Sequence, residues 1–216
     1  MVKKLLLLAL AVPAAYGTAV LLHPGIALDV TPLAKLPQTD LAGSYTVDAW
    51  HTSVGFEIAH LGLSRVQGRF DKVSGKFSVD PRNVGKSSVS FTVQTDSVDT
   101  NVAPRDADLR SKNYFDVETY PTITFSSTKV RKAGRGYVAT GDLTIHGVTK
   151  SVEIPFEAHG PAIVGGQFGT RIGVVSEPLR ISRLTYGVGP KETMNGTLAV
   201  GDEVTIKLSV EATKDQ

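Results

Sequence analysis

From Tyr45 onward, apolar and polar residues alternate with a period of two. Val89, Phe91 and Val93 alternate with Ser90, Thr92 and Gln94, and Ile123 and Phe125 alternate with Thr122, Thr124 and Ser126. Val152, Ile154, Phe156 and Ala158 repeat the pattern, and Val204, Ile206, Leu208 and Val210 carry it to the C-terminus. Each segment predicts a strand with one dry face and one wet face. Turn signals separate the strands at Asp80-Pro81-Arg82-Asn83, Gly134-Arg135-Gly136, Gly165-Gly166 and Gly201-Asp202. Pro121 marks the segment after it as an edge strand.

A single internal segment has helical character. Pro104 suits a first helical turn, acidic residues follow early, and Leu109 supplies an apolar anchor. About eight strands and one short helix in roughly 170 residues predict an antiparallel barrel, or a sandwich close to one. Closure is preferred, because it leaves no strand edge exposed. An eight-stranded barrel is either filled by its own side chains or holds one small elongated ligand. Periodicity does not distinguish the two. Glycines in GGQFGTRIGVV either enlarge the interior or only permit the bends that closure requires.

The first residues differ from the rest. Lys3 and Lys4 precede Leu5 to Leu22, an 18-residue stretch without a charge, broken by Pro13 and Gly17. Residues 1–22 are expected to be a secretory signal or an uncleaved membrane anchor. Residues 23–43 contain three prolines and two glycines without periodicity and read as a linker, leaving 44–216 as the folded domain. A periplasmic or otherwise exported location follows from this reading, with membrane association through residues 1–22 as one form of it.

Charge excludes one class of partner. Setting aside Lys3 and Lys4, the 23 basic residues become 21, equal to the 21 acidic ones. With no long basic run, nucleic-acid binding is not expected. The absence of cysteine removes thiol catalysis, thiolate metal sites and lipid attachment through sulfur.

The five histidines, His23, His51, His60, His146 and His159, show no metal-ligand spacing, and each is expected to be a hydrogen-bonded residue near a strand end. No nucleophile elbow or phosphate loop is present. Neither metal nor cofactor is expected, and no catalytic residue is assigned. Arg105, Asp106, Asp108 and Arg110 lie beside Tyr114 and Phe115. They read either as a solvated helix face laced by ion pairs or as a lid whose arginine meets a polar head group.

With these residues in view, the chain resembles the YceI-like family of lipocalin-resembling polyisoprenoid-binding proteins. The resemblance is carried by YTVDAWHTSVGFEIAHLGLSRVQGRF, SVDTNVAPRDADLRSKNYFDVETYPTITFSS, GDLTIHGVTKSVEIPFEA and the region Ile181-Ser182-Arg183 with Tyr186-Gly187. It implies an extended eight-stranded antiparallel lipocalin-like β-barrel with one short helix. It also implies non-enzymatic binding, transport or storage of a long isoprenoid or similar lipid or amide. The chain departs from the family's wording twice. Asp108 stands where the family has a histidine, and Arg183-Leu184-Thr185-Tyr186-Gly187 replaces Arg-x-Asp-Phe-Gly. An acidic residue near a ligand head disfavours a pyrophosphate.

The ligand-lining candidates are Phe56, Phe91, Val93, Phe125, Ile154 and Phe156, and the head-group candidates are His51, Arg105 and Arg183. Two competing readings stand beside the carrier. One is a lipid-modifying enzyme that uses His60 or His146, and the other is an envelope interaction module with a filled barrel. The assembly state is open, a homodimer among the options.

Overall fold

The computed structural model describes residues 41–163, 169–194 and 196–216. The signal or anchor, nearly all of the linker, His23, Gly165-Gly166 and Asn195 lie outside the described residues. The elements in order are β1 (Gly43–Val47), β2 (Ser53–His60), β3 (Ser64–Phe70), β4 (Val73–Val79), β5 (Ser88–Gln94) and β6 (Val98–Asp99). After α1 (Ala103–Arg110) come β7 (Thr122–Ala133), β8 (Gly136–Ile145), β9 (Val148–Ile163) and β10 (Thr170–Ser176). The last are β11 (Leu179–Ser182), β12 (Thr193–Met194), β13 (Thr197–Leu198) and β14 (Val200–Lys214).

Eight of these strands close a ring of antiparallel neighbours in the order β1-β4-β5-β7-β8-β9-β10-β14, with β14 returning to β1. The closing seam aligns Tyr45 with Lys214 and Val47 with Ala212. The first half of β14 pairs instead with β2 and β11, and β3 and β6 continue outward from β2. The ring is therefore not a simple meander. The β2–β3 hairpin is inserted between two ring strands and prolongs the barrel at one end.

The alternation predicted from sequence is what puts one face inward. Val93 and Phe125 are buried while Ser90 and Ser126 are exposed. Two hairpins depend on residues with positive φ at both central positions, Leu61-Gly62 and His146-Gly147. That is the backbone demanded by the tight turns whose twist matches paired strands, and Gly62 and Gly147 adopt it without a Cβ penalty.

Two sequence expectations need correction. β7 is not an edge strand, since it pairs with both β5 and β8. Pro121 stands one residue before the ladder, so its missing N–H removes no rung, and its carbonyl accepts from Thr95 N–H at 3.0 Å. Gly201-Asp202 is not a turn between strands but an irregularity within β14, where the register with β2 shifts between Val200 and Val204. A Cβ at Gly201 would lie 3.2 Å from that of Ala59, which explains the glycine there.

Candidate functional site

The barrel interior is not filled. It encloses a cavity of about 340 Å³, within the range of small-molecule sites. Its shaft is apolar, lined by Phe56 and Ile58 from β2, Phe91 and Val93 from β5, and Val204 and Ile206 from β14. The filled-barrel reading fails on this point.

Among the lining residues, only His60 and Asp108 are exposed. The mouth therefore lies where β2 ends and α1 crosses. At the opposite end Tyr45, Phe77, Val210 and Ala212 form a buried cluster that stops the shaft.

Polar groups gather at the mouth. His60, Thr100, Arg105, Asp108, Tyr114 and Arg183 all line it. The helix reaches this position because its charges fasten it to the preceding segment. Asp106, buried, accepts from the backbone N–H and the hydroxyl of Thr100. Arg105 donates through Nε to Thr100 Oγ1 at 2.7 Å and through Nη2 to the Thr100 carbonyl at 2.9 Å. Arg110 donates to the carbonyls of Asp96 and Val98. The solvated face with internal ion pairs is thus not what forms. The same charges secure a cap over the cavity, with Leu109 turned to the apolar side.

Asp108 is held open to the mouth, its Oδ1 accepting from Asn113 Nδ2 at 2.8 Å. Burial, with Asp108 nearby, raises the Tyr114 phenol above its ordinary range, so it remains a donor at neutral pH. Arg183 is 4% exposed. Burial pushes its guanidinium below the usual arginine range, although it stays charged.

Phe56, Phe91, Val93, Phe125, Ile154 and Phe156 all line the cavity, as do Arg105 and Arg183. Arg183 is mostly committed to backbone. It donates to the carbonyls of Gly201, Val188, Pro190 and Val200, leaving one of five N–H groups for anything else.

His51 requires correction. It does not line the cavity but stands on the wall between β1 and β2, at the end of β2 away from the mouth, where its Nδ1 lies 2.8 Å from Asp48 Oδ2. Strand β2 starts beside it and ends at His60, so the two histidines are separated by the length of that strand. Nor does every histidine satisfy its ring by hydrogen bonding. His146 packs on Tyr120 at 4.2 Å, and its buried Nε2 has no protein partner.

The enzyme reading required a convergent set around His60 or His146. His60 lines the mouth and His146 is not part of the lining. Asp48, His51 and Glu211 approach one another closely enough to suggest a cation site. Arg171 Nη1 already lies 2.7 Å from Asp48 and 3.1 Å from Glu211, and supplies the positive charge there. Thr100 is a mouth residue that no sequence signal assigns, and Tyr114 is marked only as a neighbour of the charged helix. They join Asp108 from the two segments flanking α1, and their spacing along the chain marks nothing.

Closed ring, apolar shaft and polar mouth together define a lipocalin-like ligand-binding barrel. The YceI-like domain profile matches residues 45–212, and the chain belongs to that family. A UPF0312 protein of Photorhabdus laumondii is 46% identical over 122 residues, covering 56% of this chain and 64% of its own. The match thus spans slightly less than two thirds of that relative. A UPF0312 protein of Vibrio vulnificus is 40% identical over 153 residues, 68% of this chain and 81% of its own.

Among solved structures, Burkholderia cenocepacia BcnA superposes with a TM-score of 0.67 at 29% identity, covering 77% of this chain and 99% of its own. A polyisoprenoid binding domain from Saccharophagus degradans shares the fold, with a TM-score of 0.57 at 18% identity over 79% of this chain and 98% of its own. No helix among the described residues is long and apolar enough to cross a bilayer.

Proposed function

We propose that this protein is a non-enzymatic carrier for one long apolar ligand, a polyisoprenoid or a similar lipid or amide, with the tail in the shaft and the head at the mouth. The observation that carries the proposal is the polarity of the cavity, whose walls are apolar apart from Thr124 and Ser176 and whose charged groups gather at one end. Burial of a tail contributes about 0.8 kcal/mol per CH₂, so ten carbons supply about 8 kcal/mol before the entropic cost of binding. No catalytic group is needed. The polyisoprenoid-binding neighbour supports the ligand class through fold alone. Transport or storage in an exported, periplasmic setting fits the apolar N-terminal segment of the sequence. Residues 1–22 would give any membrane association.

Native mass spectrometry of protein purified without added lipid, with extraction and identification of bound species, tests the proposal. A co-purified lipid with a long apolar chain is expected. A bare protein mass that also fails to shift on incubation with polyprenols would overturn the reading.

A further inference from the structure

Six large apolar side chains are exposed among the described residues: Trp50, Leu63, Val102, Val148, Val175 and Met194. Single exposed apolar residues need no explanation, but a cluster beside an opening does. Four of the six stand on or beside turns around the cavity mouth, Leu63 at 85% exposure, Met194 at 59%, Val102 at 43% and Val148 at 36%.

Backbone bonds place them there. Leu63 closely follows the last residue of β2, the mouth residue His60, and Leu61 N–H donates to the Ala199 carbonyl at 2.9 Å. Ala199 N–H in turn donates to the Glu192 carbonyl at 3.1 Å, closing the hairpin that carries Met194 onto the same corner. Val102 immediately precedes α1, which brings Arg105 and Asp108 to the mouth. Val148 follows the turn in which His146 packs on Tyr120, a few residues after the mouth residue Tyr114.

We infer that this rim docks on the surface of a lipid bilayer, so that a ligand passes between membrane and cavity without crossing water. The inference rests on the carrier reading for its purpose and on the rim's own geometry for its existence. The four exposed tips come from four separate segments of the chain, at the β2–β3 turn, before α1, at the start of β9 and in β12, and they stand beside the opening of an apolar shaft. Charge around the rim is mixed, with Lys112, Lys150 and Lys191 beside Asp108, Glu118 and Glu192, all exposed. Apolar insertion rather than attraction to anionic lipid is therefore the main force.

The chain contains no cysteine, so single labels can be placed without background. Full-length Leu63→Cys, Met194→Cys and Trp50→Cys would each carry an environment-sensitive fluorophore. Vesicles would be of phosphatidylcholine alone, or of phosphatidylethanolamine with phosphatidylglycerol, each with nitroxide-labelled acyl chains. Labels at 63 and 194 are expected to shift to the blue and be quenched in both vesicle types, while the label at 50, on the side wall between β1 and β2 and away from the mouth, is not. Quenching equal at all three sites, or absent at 63 and 194, overturns the inference.

Site-resolved quenching matters because residues 5–22 could tether the whole chain without the rim. A Leu63→Asp, Met194→Asp double variant is expected to lose at least about tenfold of the rim signal, read from a label at Val148→Cys. Its lipid load by native mass spectrometry should be unchanged. Rim quenching in a protein that carries no lipid would sink the carrier reading and leave the docking surface intact.

Discussion

Arg183 Nη1 donates to the carbonyl of Val188 at 2.7 Å, which ties a buried cation at the cavity mouth to a loop of its own chain. With its three further bonds, the guanidinium joins the loop through Pro190 to the start of β14. Arg183→Ala leaves those carbonyls buried without a donor, and a loss of about 3 kcal/mol in unfolding free energy is expected. Arg183→Lys should recover only a minority of it, since an ammonium does not reproduce the planar fork. Urea denaturation of both variants measures this.

Phe56 and Gly68 face each other across β2 and β3. A Cβ on Gly68 would fall 2.3 Å from the Phe56 ring and 2.8 Å from Thr100 Cγ2. Gly68→Ala should therefore drive the ring into the shaft, with about 1–3 kcal/mol of destabilisation from overpacking. Tail binding should weaken more for long chains than for short ones. Displacement of a fluorescent fatty acyl probe by polyprenols of graded length measures the difference.

Asp108 is an exposed carboxylate at the mouth. If a ligand head sits beside it, Asp108→Asn should improve binding of a pyrophosphate head relative to the matching alcohol. The gain is about 1 kcal/mol, the size of one unscreened repulsion at contact in water. Competition between the two ligands, read by native mass spectrometry, gives the ratio. An unchanged ratio would place the head elsewhere.

Asp48 accepts from His51, Arg171 and the Trp50 N–H, and these bonds, that of His51 foremost, hold its carboxyl below the ordinary aspartate range. A group with a depressed folded-state pKa contributes stability that is present above its unfolded value, about 3.9, and is lost as pH falls through the folded value. Asp48→Asn should cost about 1–2 kcal/mol at neutral pH. The gap from the parent protein should shrink below about pH 4. Thermal melts at graded pH test the sign.

The strands were legible because their alternation is imposed by a two-sided sheet, and α1 because Pro104 and Leu109 mark it. The shaft followed from the same alternation: inward residues such as Phe91 and Ile154 must face whatever the interior holds. Whether it holds side chains or space depends on how far apart opposite walls stand, and no single strand records that distance. The mouth was legible only in fragments. Arg105 was found from its charged neighbours. His51 was misplaced because it stands just before β2 while His60 ends it, and only the direction of the strand separates them. Thr100 and Tyr114 reach the cavity through loop geometry that leaves no periodic trace.

The barrel's closing seam joins the first and last strands of the described fold, and Thr46 donates to Asp215 across 169 residues of chain. Strand β14 is also partner to β2, β10 and β11, so four separate pairings wait on one segment. Of the described strands, that segment is the last to be synthesised. Until then β1 has no partner on one side and the apolar inner faces have no enclosure. Contacts this distant in sequence make folding slow. Until β14 has been made, the preceding strands can therefore form at most an open sheet.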